Sequence, residues 1–125
     1  MLARYKIYRG KRPDDAPTVE GIRQDTRKHT QHCLRPIASD VFDYLRAPSP
    51  QAWTKFASRY LQILQNRFDA DPTPFDSLAE LAMHRAGYIG CSCPTAKNPD
   101  VNHCHTILAL RFMSERYPDL EVELP

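Results

Sequence analysis

Glycine is scarce in this sequence, with four residues in 125, while proline reaches eleven. Most of the prolines fall between the periodic segments, so the connections are expected to be stiff. No apolar run is longer than a few residues, which excludes a transmembrane helix. No apolar stretch of signal-peptide length follows Met1, and there is neither an internal repeat nor a low-complexity segment. A strong charge surplus is missing as well. The net charge is +2, and an isoelectric point near 8.4 falls short of the strongly basic balance of dedicated nucleic-acid modules. These absences lead us to expect a cytoplasmic protein with no membrane partner, its four cysteines being thiols or metal ligands instead of disulfides.

What is present is ordinary globular composition, 42% hydrophobic and 26% charged, which argues against wholesale disorder. The length suits one domain over 1–125. Charge is spread unevenly. Residues 1–36 hold nine bases (Arg4, Lys6, Arg9, Lys11, Arg12, Arg23, Arg27, Lys28, Arg35) against four acids, a local +5, and the remainder carries −3. A basic first third suits a phosphate, a nucleic acid or another anionic ligand; it also suits a solvated loop.

Ala3, Tyr5 and Ile7 alternate with Arg4, Lys6 and Tyr8, the period of a strand with one buried face. Gly10 ends it, and residues 10–35 read as a long basic loop with little periodicity, apart from a helical turn near Gln24–Cys33. Ser39 can cap a short helix through Ala47 with Val41, Phe42 and Leu45 inward. Ser49-Pro50 opens a longer helix whose core face is Trp53, Phe56, Ala57, Tyr60, Leu61, Leu64 and Phe68. Thr73-Pro74 opens another, with Phe75, Leu78, Ala79 and Ala82 inward and Gly87 as a left-handed cap. Residues 88–93 are short and apolar and predict a buried, central strand that Pro94 stops. Asn102 can cap a last helix over 103–117, and 120–124 alternates like an edge strand. The order predicts an α/β fold, a short, mainly parallel sheet flanked by helices.

The chemistry concentrates in Gly90-Cys91-Ser92-Cys93 and Asn102-His103-Cys104-His105. That is a strand end, a loop and a helix start, where α/β folds put ligands. Cys91 and Cys93 are two apart and point to one side of a strand. Cys104, in the first helical turn, is expected to have a lowered thiol pKa.

Two resemblances attach to these residues. Trp53, Phe56 and Arg59-Tyr60-Leu61, then an apolar helix, a strand ending in cysteines and Cys104-His105 resemble the uncharacterised bacterial domain-of-unknown-function family 488. Tyr8-x-Gly10-x-Arg12, Gly90-Cys91-Ser92-Cys93 and Cys104-His105 followed by Leu108 and Leu110 look more like family 4326, although the loop is longer here and Thr106 stands where that family has glycine. The resemblance implies a compact α/β fold and marks the Cys/His cluster; neither family has a settled activity.

Three readings of the cluster stay open. In the first, Cys91, Cys93 and Cys104 with His105 or His103 hold zinc, His32 or Cys33 being remote alternatives. Against it, neighbours such as Cys104 and His105 diverge by about 100° on a helix. In the second, Cys93 or Cys104 is a catalytic thiol with His105 as its base. In the third, the cysteines only pack. Around them Arg9, Lys11, Arg12 and Asn102 are the expected ligand-binding residues, and the expected ligand is an anionic small molecule, a nucleotide or phosphorylated metabolite. The alternatives are a nucleic-acid-associated module tracking phosphates with its basic third and a structural zinc domain.

Overall fold

Gly87–Cys91 (β3) is the middle strand of a three-stranded sheet in the computed structural model, which describes all 125 residues. Leu2–Lys6 (β1) pairs along one side and Ile22–Asp25 (β2) along the other. Both pairings are parallel, so the sheet is wholly parallel, in the order β1-β3-β2. The register puts Leu2 and Ile22 beside Gly87, and Lys6 beside Cys91. Four helices complete the α/β fold: α1 (Ala38–Arg46), α2 (Pro50–Ala70), α3 (Thr73–His84) and α4 (His105–Arg116).

The strand order explains which face carries the helices. From β2 to β3, and from β3 through α4 to Val122 beside Leu2, the chain crosses the sheet in one direction. Right-handed parallel crossovers then place α1–α3 and α4 on a single face. Leu2 and Ile89 enter the core there, fully buried against Tyr60, Leu64, Phe75, Leu110 and Met113. The β1-to-β2 connection runs the opposite way and lies over the other face. A Cβ on Gly21 would fall 2.4 Å from the Ala86 carbonyl and 2.9 Å from the Tyr88 ring, so only glycine fits that approach.

Several expectations are corrected. The 10–35 segment contains β2, which a single apolar residue in Ile22-Arg23-Gln24-Asp25 does not announce. Its last residues are tied to α2: Arg67 donates to the Cys33 and Arg35 carbonyls at 2.9 and 2.7 Å, and the Tyr60 hydroxyl donates to the Leu34 carbonyl at 2.6 Å. Helix α1 begins at Ala38 with no side-chain cap, so Ser39 does not cap it. Its most buried residues are Asp40, 2.9 Å from Arg59, and Tyr44; Val41 and Leu45 pack partly buried against the core as expected, whereas Phe42 is exposed beneath the Lys28 ammonium.

Ser49 caps α2 as expected, accepting from the Ala52 N–H at 3.0 Å, but Leu61 is exposed. Thr73 is the first residue of α3, not its cap, and the expected core face of that helix is buried. Gly87 is not a left-handed cap; it opens β3, which ends at Cys91. The last helix starts two residues later than expected. Asp100, not Asn102, caps a 3-10 turn over Val101–His103, and Cys104 precedes α4 in extended backbone. The 120–124 segment is no full strand; it makes one bridge from Val122 to Leu2, flanked by hydrogen bonds of 2.8 and 2.9 Å.

Candidate functional site

The sulfur atoms of Cys91, Cys93 and Cys104 lie within 4.8 Å of one another at the carboxyl end of the central strand. Cys91 is the last residue of β3, on the helix-bearing face with Ile89, and the Cys93–Pro94 peptide is cis. Cys104 reaches the pair from the start of α4. Its φ and ψ of −122° and 144° are extended, so the helical divergence from His105 does not operate at this step. His105 is buried, with Nδ1 3.9 Å from the Cys104 sulfur.

The hydrogen bonds around the cluster have a forced direction. Thr26 donates its one hydroxyl proton to the Gly90 carbonyl at 3.0 Å, so at 2.9 Å from His105 Nε2 it can only accept. The imidazole proton is therefore on Nε2, and the Nδ1 lone pair faces Cys104. Arg4 Nε donates to Thr106 Oγ1 at 3.0 Å, which obliges the Thr106 proton to point to the Cys104 sulfur, 3.2 Å away. The Asn98 amide donates to the Cys93 sulfur at 3.3 Å and to the His103 carbonyl at 2.7 Å. The Cys93 and Cys104 sulfurs thus each accept a hydrogen bond from outside the cluster.

The three thiols shift one another's pKa values, and Cys93 is the one that is lowered. Hydrogen bonds from Cys104 and Cys91, with that of Asn98, lower the Cys93 pKa against the cost of burial. Cys91 is raised by Cys104, Cys93 and burial. At Cys104, hydrogen bonding with Cys91 pulls downward, but Cys93 and burial push its pKa up overall. The expected lowered pKa of Cys104 is therefore not found: that side chain is buried beside the Cys93 sulfur, and both effects raise it.

The cluster floors a cavity of about 100 Å³. Tyr44, Trp53 and Phe56 form one wall, the Trp53 and Tyr44 rings 5.5 Å apart, and His103 lies 5.0 Å from Trp53. Arg9, Arg27 and Lys28 supply the cations, Arg27 being held by Asp25 at 2.8 Å.

The sequence-predicted residues divide accordingly. Cys91, Cys93, Cys104, His105 and Arg9 line this cavity, with Asn98 and His103. Asn102 is exposed and outside it. Lys11 is exposed and outside it as well. Arg12 folds back to the carbonyls of Ala16 and Pro17 and lines a different cavity. His32 and Cys33 stay out of the sulfur cluster; His32 accepts from the Leu34 N–H at 3.0 Å and lies 2.6 Å from Gln24 Oε1.

Thr26, Arg4 and Thr106 act through tertiary contacts that no local pattern announces. Asn98 precedes Pro99, a dipeptide that signals a turn but not a donor to sulfur. No helix of the structure is long and apolar enough to cross a membrane. Comparison with family models, curated proteins and solved structures gives no match.

Proposed function

We propose that the chain holds one zinc ion through Cys91, Cys93 and Cys104, with His105 Nδ1 as the fourth ligand, and receives an anionic small molecule in the cavity above. The observation that carries this reading is the convergence of three sulfurs within 4.8 Å. Sulfurs 2.3 Å from a tetrahedral zinc are about 3.8 Å apart, so the cluster is close to the required size. The donor chemistry fits as well. Thiolates and imidazole are the set that selects zinc over hard cations. Two thiolates find outer donors in Asn98 and Thr106, and His105 gives its other N–H to Thr26, the arrangement that orients a ligating histidine.

Four protein ligands close the coordination shell, which is the composition of a structural centre. The zinc ties the end of β3, the 94–102 loop and the start of α4 into one rigid floor. Arg9 and Lys28 then face whatever enters, and Trp53, Tyr44 and Phe56 flank it. A space of this size takes a phosphoryl-sized head group, the rest of a nucleotide or phosphorylated metabolite remaining at the rim. Reduced, metal-bound cysteines suit a cytoplasmic protein.

A second reading is a metal-free thiolate at Cys93 acting as a nucleophile, with Cys104 and His105 behind it. The Asn98 amide at 3.3 Å favours it, since that donor stabilises a sulfur anion. Site-resolved alkylation with and without chelator separates the two. Zinc protects Cys91, Cys93 and Cys104 together until chelator is added. Rapid labelling of Cys93 alone, indifferent to chelator, would replace the zinc reading with the nucleophile.

A further inference from the structure

A second cavity, of about 190 Å³, lies beside β1 under the 8–20 segment. Arg4, Lys6, Arg12 and Arg23 line it together with Tyr5 and Tyr8, and no carboxylate does. Asp14, Asp15 and Glu20, on the covering segment, are exposed and outside it. None of the four cations forms an ion pair. Three of them are held by neutral oxygens: Arg4 by the Cys93 carbonyl at 2.6 Å and Thr106, Lys6 by the Pro94 carbonyl at 2.8 Å, and Arg12 by Ala16 and Pro17. The Lys6 ammonium and the Arg12 guanidinium also lie 5.0 and 5.8 Å from the Tyr8 ring.

Carbonyl dipoles hold these groups in place without cancelling their charge. Four positive charges around one concave space repel each other and focus a positive potential into it. Guanidinium forks match phosphate oxygens two at a time, and a compact ammonium adds a point charge. We infer that this cavity is a phosphate-binding site, distinct from the cysteine cavity. Its dimensions take one or two phosphoryl groups, not a whole nucleotide. The phosphate comes either from a small free anion or from a nucleic-acid backbone, and the two differ in what else they bring.

The test is calorimetric titration of the purified full chain with inorganic pyrophosphate and, separately, with a short oligothymidylate. The variants are Arg12→Ser/Arg23→Ser for this cavity, Arg9→Ser for the cysteine cavity and Lys97→Ser as an exposed cation that lines neither. Arg12 and Arg23 are exposed, so the double variant is expected to fold; amide shifts of Tyr8 and Val19 on pyrophosphate addition to the unaltered chain read the same site without substitution. The expected result is one pyrophosphate per chain, weakened about tenfold or more in the double variant and unchanged by Arg9→Ser or Lys97→Ser. Tighter binding of the oligonucleotide, falling steeply with salt and lost in the double variant, assigns the site to a nucleic-acid backbone; pyrophosphate binding alone assigns it to a free anion. No binding of either probe, equal binding by the double variant, or an equal loss in Lys97→Ser overturns the inference.

Discussion

Thr26 Oγ1 lies 2.9 Å from Nε2 of His105, and the same hydroxyl donates to the Gly90 carbonyl at 3.0 Å. One fully buried side chain, just beyond the end of β2, thereby sets the tautomer of a histidine at the start of α4 from the backbone of β3. The imidazole lone pair turns to Cys104 as a consequence. This three-element contact converts a sheet register into the chemistry of the site.

Thr26→Val removes the acceptor for Nε2 while keeping the side-chain shape. We expect a stability loss of about 1–3 kcal/mol from the unpaired buried groups. Zinc affinity should fall about 10–100-fold, the usual effect of losing an outer partner of a ligating histidine. Thr26→Ser should retain both properties. Competition with a chromophoric chelator reads the affinity and denaturant titration the stability. Wild-type zinc affinity in Thr26→Val would show that the hydroxyl does not position the ligand.

His32 predicts a pH dependence. Burial, followed by the nearby His105, lowers its pKa to about 4 from the ordinary 6.5. The folded chain therefore binds this proton less readily than the unfolded chain. The contribution is complete above pH 6.5 and is lost as pH falls toward 4. His32→Gln should lose less stability over that window than the unaltered chain. Parallel stability curves for the two proteins would contradict a neutral, hydrogen-bonded His32.

Gly90 stands at the step before the cluster. A Cβ there would meet the Tyr5 ring at 2.6 Å and Ile7 at 2.7 Å. Gly90→Ala should cost about 1–3 kcal/mol by overpacking. Tyr5→Ala in the same chain should recover part of the loss, measured by a double-mutant cycle. Strict additivity of the two substitutions would mean that the ring does not confine the glycine.

Where the chain is periodic, its fold was readable in advance. The core face of α3, the Ser49-Pro50 start of α2 and the central position of β3 follow from spacing, capping chemistry and the lack of charge in Tyr88-Ile89-Gly90-Cys91. Strand β2 escaped because an edge strand with one apolar residue has no alternation to read. Cys91, Cys93, Cys104 and His105 were visible as a crowded motif, and their convergence required only that the strand and helix start meet. The split of the basic segment between two cavities was not visible. Arg9 lines one and Arg12 the other because the chain turns at Gly10, whose φ of 76° few other residues adopt, and then folds Arg12 back on its own loop. Asn98, Thr26 and Thr106 are ordinary polar residues until the tertiary structure aims them at a sulfur or an imidazole.

The most direct measurement is native mass spectrometry of the purified chain, with elemental analysis of the same sample. One zinc per chain is expected, removed by strong chelator, and absent from a Cys91→Ser/Cys104→Ser variant whether or not that variant keeps its fold. A chain that purifies without metal and takes up none from added zinc, while all three thiols stay reduced, would contradict that expectation.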